Sequence, residues 1–236
     1  MTLASTLINA PMKVILRTMM RIDDRDIKKI PMTGPLILAT NHINSFDAPV
    51  GFTHLHPRRL TAFVKTETWD NPALGFLFNI WKGIPIHRGE VDFEAFHLAQ
   101  DALLKDNKII IVAPEGTRSK DGKLNKGYPG IVLLAIRSGV PILPVVFYGN
   151  EALTHNLRSL RRTDMTIRVG EAFTVNFENQ TLSRDFRQEI TDEIMYQIAL
   201  LLPPEYRGVY ADVSKATTSH LTFLAPRMNY PPLFFC

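Results

Sequence analysis

The sequence predicts an α/β fold: a single domain with a mixed, largely parallel sheet flanked by helices, led by a short amphipathic helix. Three observations predict it. Apolar β-rich runs alternate with stretches of helical periodicity along most of the chain. One run, Ile109 to Ala113, is apolar without interruption, as in a strand covered on both faces. The length of 236 residues suits one sizeable domain, and a chain 45% hydrophobic and 21% charged has the composition of a folded globular protein.

The elements follow in order. Asn9 to Arg21 reads as a short helix, with Asn9 as its cap and Pro11 tolerated in the first turn. At 100° per residue, Lys13, Arg17 and Arg21 form a basic stripe opposite Ile8, Met12, Ile15, Leu16 and Met19. That pattern fits a helix lying on an anionic membrane, and equally one docked on its own core. Pro35 to Thr40 is a strand, followed by a turn-rich stretch and a helix after Asp47. Leu60 to Lys65 and Gly83 to His87 are strands, and Asp92 to Leu104 has helical spacing. Gly130 to Arg137 is a helix stopped by Gly139. Strands follow at Pro141 to Tyr148 and Thr166 to Val169, and a helix at Ser183 to Leu202 ends on Pro203-Pro204. Three regions are expected: 1–24 as the membrane-surface helix, 25–213 as the main domain and 214–236 as an irregular tail.

The formal net charge of +4 points to an anionic partner, whether nucleic acid, an acidic membrane surface or a phosphorylated substrate. Cys236 is the only cysteine, which excludes an internal disulfide and a cysteine metal site. His54-Leu55-His56 has no third ligand at suitable spacing, so no metal is expected. No apolar run reaches the roughly 20 residues of a spanning helix, and no signal peptide is expected.

Chemistry-bearing residues cluster at strand ends. His42 and Asp47 follow the first long strand, among Asn41, Asn44 and Ser45. Five residues of continuous helix would turn them about 500° apart, so they meet only if the chain turns between them. A neutral imidazole oriented by a carboxylate is a general base. On spacing alone, a loop histidine beside a helix-capping Asp47 is the simpler reading. Glu115-Gly116-Thr117-Arg118-Ser119 follows the apolar strand and offers a carboxylate, a permissive glycine, hydroxyls and a guanidinium, or merely closes a turn. Lys65 and Arg88 end two further strands, where each is a phosphate contact or a surface cation.

Other signatures fail. Gly-x-Ser-x-Gly is absent, and the glycines at 116 and 122 are one residue too far apart for a phosphate-binding loop. Arg158, Arg161 and Arg162 lack interleaved aromatics, so no nucleic-acid site is expected.

Together, Asn41-His42…Asp47, Gly83…Arg88, Glu115-Gly116-Thr117-Arg118-Ser119 and Val140-Pro141-Ile142-Leu143-Pro144-Val145 resemble, in order, the four motifs of the glycerophospholipid acyltransferases. Lys65-x-Glu67…Pro72 resembles a further stretch of the 1-acyl-sn-glycerol-3-phosphate acyltransferases, and the resemblance runs from about Gly34 to Gly149. It implies a glycerolipid acyltransferase-like fold and transfer of an acyl group from acyl-CoA or acyl-carrier protein to a glycerol hydroxyl, with no cofactor. It implies that His42 is the base and Asp47 its orienter. Lys65, Arg88 and Arg118 would bind the acceptor phosphate, and Glu115, Gly116 and Thr117 would belong to the acceptor site. Pro85-Ile86-His87 departs from the family's second motif, which leaves glycerol-3-phosphate, another lysophospholipid or a lyso-ornithine lipid as rival acceptors. A non-catalytic lipid-binding protein of the same fold is the rival from another class. The resemblance, with the short leader, implies peripheral, monotopic attachment at the cytoplasmic membrane face and leaves oligomeric state open.

Overall fold

The computed structural model describes residues 3–87, 89, 92–177 and 181–225. Arg88, Cys236 and the tail beyond residue 225 lie outside the described residues. Helix α1 (Leu3–Met19) opens the chain, followed by strand β1 (Met20–Asp23) and strand β2 (Leu36–Thr40). Helix α2 (Asp47–His54), strand β3 (Leu60–Lys65), helix α3 (Pro72–Ile80) and strand β4 (Ile84–Ile86) come next. Helix α4 (Phe93–Leu104), strand β5 (Ile109–Val112), helix α5 (Gly130–Ser138) and strand β6 (Ile142–Tyr148) complete the central part. Helix α6 (Leu153–Arg158), strands β7 (Thr163–Val169) and β8 (Phe173–Val175), helix α7 (Arg184–Leu201) and strand β9 (Leu221–Phe223) follow.

The sheet order is β1-β7-β6-β2-β5-β3-β4, with β8 and β9 attached beyond β6. The run β6-β2-β5-β3-β4 is parallel throughout, whereas β7 and β8 pair with β6 antiparallel. The fold is therefore the mixed, largely parallel α/β sheet that the sequence predicts. β2 is buried along its whole length. Its side chains alternate between two cores, as the two-residue period of a strand requires. Ile37 and Ala39 join a cluster with Ala99 and Leu103 of α4, Val132 of α5 and Ile190 and Ile194 of α7. Leu36 and Leu38 join the opposite cluster with Leu16 of α1, Val50 and Phe52 of α2, and Trp81.

Gly139 stops α5 as expected, and three caps that the sequence reading did not name close the starts of other helices. Asp92, Asn71 and Ser183 each accept an N–H bond at the start of α4, α3 and α7, and Gly139 ends α5 in the left-handed region.

The leader differs from expectation. Asn9 is not a cap; it sits inside α1, buried, and its Oδ1 accepts the Trp81 Nε1–H bond at 2.8 Å. The helix ends at Met19, and Arg21 instead lies in β1, which pairs with β7, where its guanidinium donates to Asp164. Leu16, Met12 and Met19 face the core, so docking on the protein's own interior accounts for that face. Ile15, expected on the same side, is exposed.

The segment after Ser214 is also more ordered than expected. β9 pairs with β8, and the buried Glu193 carboxylate accepts bonds from Thr217 Oγ1, Ser219 N and His220 N. A partner strand and one long-range carboxylate supply the order that local periodicity lacks.

Candidate active site

The register places the site. Ala39 of β2 is level with Val112 of β5, so His42 and Glu115, each three residues further on, emerge side by side. Thr40 is likewise level with Val145 of β6, and Lys65 of β3 is level with Ile86 of β4. The carboxyl ends of parallel strands thus bring His42, Lys65, His87, Glu115 and Asn150 to one edge, where α/β sheets hold ligands.

Asn41 makes the turn possible. As β2 leaves the sheet, its Nδ2 donates to Phe147 O at 2.8 Å and its Oδ1 accepts from Phe147 N at 2.9 Å. A side chain thereby continues the ladder, and the backbone is released to turn. Asn44 Oδ1 then accepts from Phe46 N at 2.8 Å, closing a short side-chain turn before α2 begins at Asp47.

That turn brings the pair together. His42 Nδ1 lies 2.9 Å from Asp47 Oδ2, which also accepts from Ile43 N at 2.7 Å and Asn44 N at 2.9 Å. Asp47 Oδ1 accepts from Asn150 Nδ2 at 3.0 Å. Asp47 is 6% exposed, so its negative charge is held by these donors and by its place in the first turn of α2. The His42 side chain remains 24% exposed, and among the described residues Nε2 has no protein partner. With Nδ1–H donated to Asp47, Nε2 is the atom left to accept a proton.

The backbone of His42 is clamped by the turn after β5. His42 N donates to Glu115 Oε1 at 3.0 Å, and His42 O accepts from Ser119 N at 2.8 Å. Glu115 Oε2 accepts from Asn125 N and Asn125 Nδ2. Glu115 is 1% exposed and burial pushes its carboxyl above the ordinary value, against the bonds from Asn125 and His42 that lower it. Both its oxygens are engaged by the protein, so it holds the histidine loop in place. Gly116 has a φ of 64°, the left-handed conformation this tight turn requires. Thr117 and Arg118 are exposed, and Arg118 Nη1 donates to Ser45 Oγ beside the pair. Lys65 is half-buried at the end of β3. His87 is exposed at the end of β4, and its N–H donates to Asp92 Oδ2 at 3.0 Å.

Asn125 and Asn150 are the contributors that sequence reasoning missed. Each acts from a long loop or from beyond another strand, and only its place two residues after the apolar run ending at Tyr148 hinted at Asn150. Among the described residues, no group of three or more metal-ligating side chains gathers.

A model of the Acyltransferase family matches residues 21–148, more than half of the 236. The chain belongs to the Acyltransferase family. The matched region holds the strands and turns that build the His42–Asp47 pair. The 1-acyl-sn-glycerol-3-phosphate acyltransferase beta of Homo sapiens is 25% identical over 152 residues, covering 64% of this chain and 54% of the relative. The 1-acyl-sn-glycerol-3-phosphate acyltransferase of Pseudomonas aeruginosa is 28% identical over 127 residues, covering 53% and 48%. That of Limnanthes douglasii is 32% identical over 115 residues, covering 48% and 41%. The chain therefore spans about half the length of these relatives. Among solved structures, the 1-acyl-sn-glycerophosphate (LPA) acyltransferase of Thermotoga maritima has the same fold, with a TM-score of 0.60 at 22% identity, over 80% of this chain and 76% of that one.

Proposed function

We propose that this member of the family transfers a fatty acyl group from a thioester, acyl-CoA or acyl-carrier protein, to the free hydroxyl of lysophosphatidate, giving phosphatidate. The observation that carries the reading is the His42–Asp47 pair, anchored by Glu115, Ser119, Ile43, Asn44 and Asn150 and with Nε2 left unengaged by the described protein groups. The printed names of the relatives support the choice of acceptor.

In this mechanism the acceptor hydroxyl lies against His42 Nε2. The imidazole removes its proton as the oxygen attacks the thioester carbonyl. The tetrahedral intermediate collapses with loss of the thiolate, which takes the proton back from the imidazolium. Asp47 keeps the ring in the tautomer with Nδ1–H and stabilises the cation that forms. Among the described residues no hydroxyl or thiol is hydrogen-bonded to His42, consistent with direct attack and no acyl-enzyme. Lys65 and Arg118, with Arg88 outside the described residues, bind the acceptor phosphate. Gly116 and Thr117 line the same side, and Glu115 supports it from behind.

The same reading places the protein on the cytoplasmic face of a membrane, attached without spanning it. No helix among the described residues is long and apolar enough to cross one. Opposite its docked face α1 exposes Leu7 and Val14, with Ile15 exposed at the flank, and α3 exposes Leu74 and Phe76. The Trp81–Asn9 bond, made by the residue directly after α3, ties the two helices together. An apolar face flanked by Lys13 and Arg17 suits an anionic lipid surface.

The test is an acceptor panel. Thiol release from acyl-CoA and acyl-carrier protein is followed with lysophosphatidate, glycerol-3-phosphate, other lysophospholipids and a lyso-ornithine lipid, and the products are identified by mass. Lysophosphatidate is expected to give the highest kcat/KM. A higher value with another acceptor overturns the substrate assignment, and no turnover with any of them overturns the enzyme reading.

A further inference from the structure

Asn150 is fully buried at 0% exposure, two residues beyond the end of β6, and none of the proton-transfer steps above assigns it a role. It reaches the histidine turn at two points. Its Nδ2 donates to Asp47 Oδ1 at 3.0 Å, and its backbone O accepts from Asn44 Nδ2 at 2.9 Å. Gly149 delivers it there: φ is 94°, and a Cβ at that position would lie 2.7 Å from Asp164 O.

The amide orientation is fixed by chemistry. Reversing it would set its oxygen against the Asp47 carboxylate, two acceptors face to face. In the orientation that remains, Asn150 Oδ1 is buried without a partner among the described residues. A buried acceptor with no donor costs stability, and the site carries that cost while satisfying the Asp47 carboxylate. What asparagine supplies in exchange is one N–H aimed at Asp47 Oδ1. With Oδ1 held there and Oδ2 held by Ile43 N and Asn44 N, the carboxylate has no freedom to rotate away from His42 Nδ1.

We infer that Asn150 is a positioning residue for acyl transfer, the third group of a chain His42–Asp47–Asn150 that fixes the carboxylate against the imidazole. The inference rests on the acyltransferase reading for its kinetic consequence. Its structural consequence is independent of that reading.

The experiment uses the full chain with Asn150→Leu, which keeps the branching of the side chain and removes both the useful N–H and the orphaned oxygen. Asn150→Ser serves as a second variant should the first fail to fold. The expected result is a 10- to 100-fold loss of kcat, with KM for acceptor and donor within twofold of wild type. Because Asp47 Oδ1 loses its donor, the melting temperature should fall as well, and kcat and the His42 resonance are the deciding readouts. In parallel, the downfield proton resonance of His42 Nδ1–H, assigned by its loss in His42→Ala, is recorded for wild type and variant without substrate. It should shift or broaden on substitution. An unchanged resonance and unchanged kcat overturn the inference, and so does a loss confined to KM. If the wild type turns over no substrate, the acyltransferase reading fails, and the resonance alone decides whether Asn150 positions the pair.

Discussion

His42 Nδ1 and Asp47 Oδ2 lie 2.9 Å apart although they are separated by five residues, a spacing that a continuous helix would turn to different sides. The Asn44 side-chain turn and the late start of α2 at Asp47 close the gap. Asp47→Asn keeps the size and loses the charge, and its amide can present an N–H to Nδ1 and stabilise the wrong tautomer. A fall in kcat of roughly 10²–10⁴ is expected, with the acceptor KM little changed. Steady-state kinetics checks it, and a loss below fivefold would remove Asp47 from the orienting role.

The phosphate assignment predicts a split between substrates. Lys65→Ala and Arg118→Ala should each raise KM for lysophosphatidate about tenfold or more, since a charge-assisted bond contributes about 1.5–3 kcal/mol. The donor KM should stay constant. Monoacylglycerol, which lacks the phosphate, is the control: the same substitutions should leave its weak turnover unaffected. Equal effects on both acceptors would reject the assignment.

Exposed and docked faces of α1 predict opposite phenotypes. Leu7 is 66% exposed and Val14 is 64% exposed, whereas Leu16 is buried against the core. Leu7→Asp with Val14→Asp should weaken binding to anionic vesicles by about 100-fold, because full burial of each side chain is worth about 1.5–3 kcal/mol. The melting temperature should hold. Leu16→Asp should instead destabilise the fold. Vesicle co-sedimentation of the double variant checks the membrane face, and unchanged binding would remove α1 from it.

His54 gives the fold a pH dependence unrelated to the reaction. It is buried on α2 with Nε2 unpartnered among the described residues. Burial, reinforced by Lys13 and Arg17 and opposed by Asp24, holds its pKa down to about 4 from 6.5. The fold thus favours the neutral ring. This contribution to stability is complete above the unfolded value and is lost as pH falls from about 6.5 through about 4, at up to about 1.4 kcal/mol per pH unit. Urea midpoints between pH 7 and pH 4.5 should fall more steeply for wild type than for His54→Leu. Parallel slopes would contradict this.

What the sequence made legible was local. The uninterrupted run at Ile109, the helix stop at Gly139 and the polar turns after β2 and β5 carry their signal within a few positions. Asn150 was hidden because its partner is 103 residues away. β1 was hidden because Arg21, four residues after Arg17, falls on the basic stripe of α1 and carries the helical pattern past Met19. The periodicity of α1 gathered Met12, Leu16 and Met19 on one stripe but left open whether it meets a membrane or the core; Phe52 and Trp81, whose rings stack at 4.5 Å, belong to the core it meets.

The central claim is that His42 is the base. The most direct measurement is kcat for His42→Ala under saturating acyl-CoA and lysophosphatidate, with and without added imidazole. The account predicts a loss of about 10²–10⁴, little change in either KM, and partial recovery as free imidazole enters the vacated space. A variant that keeps wild-type kcat would contradict it.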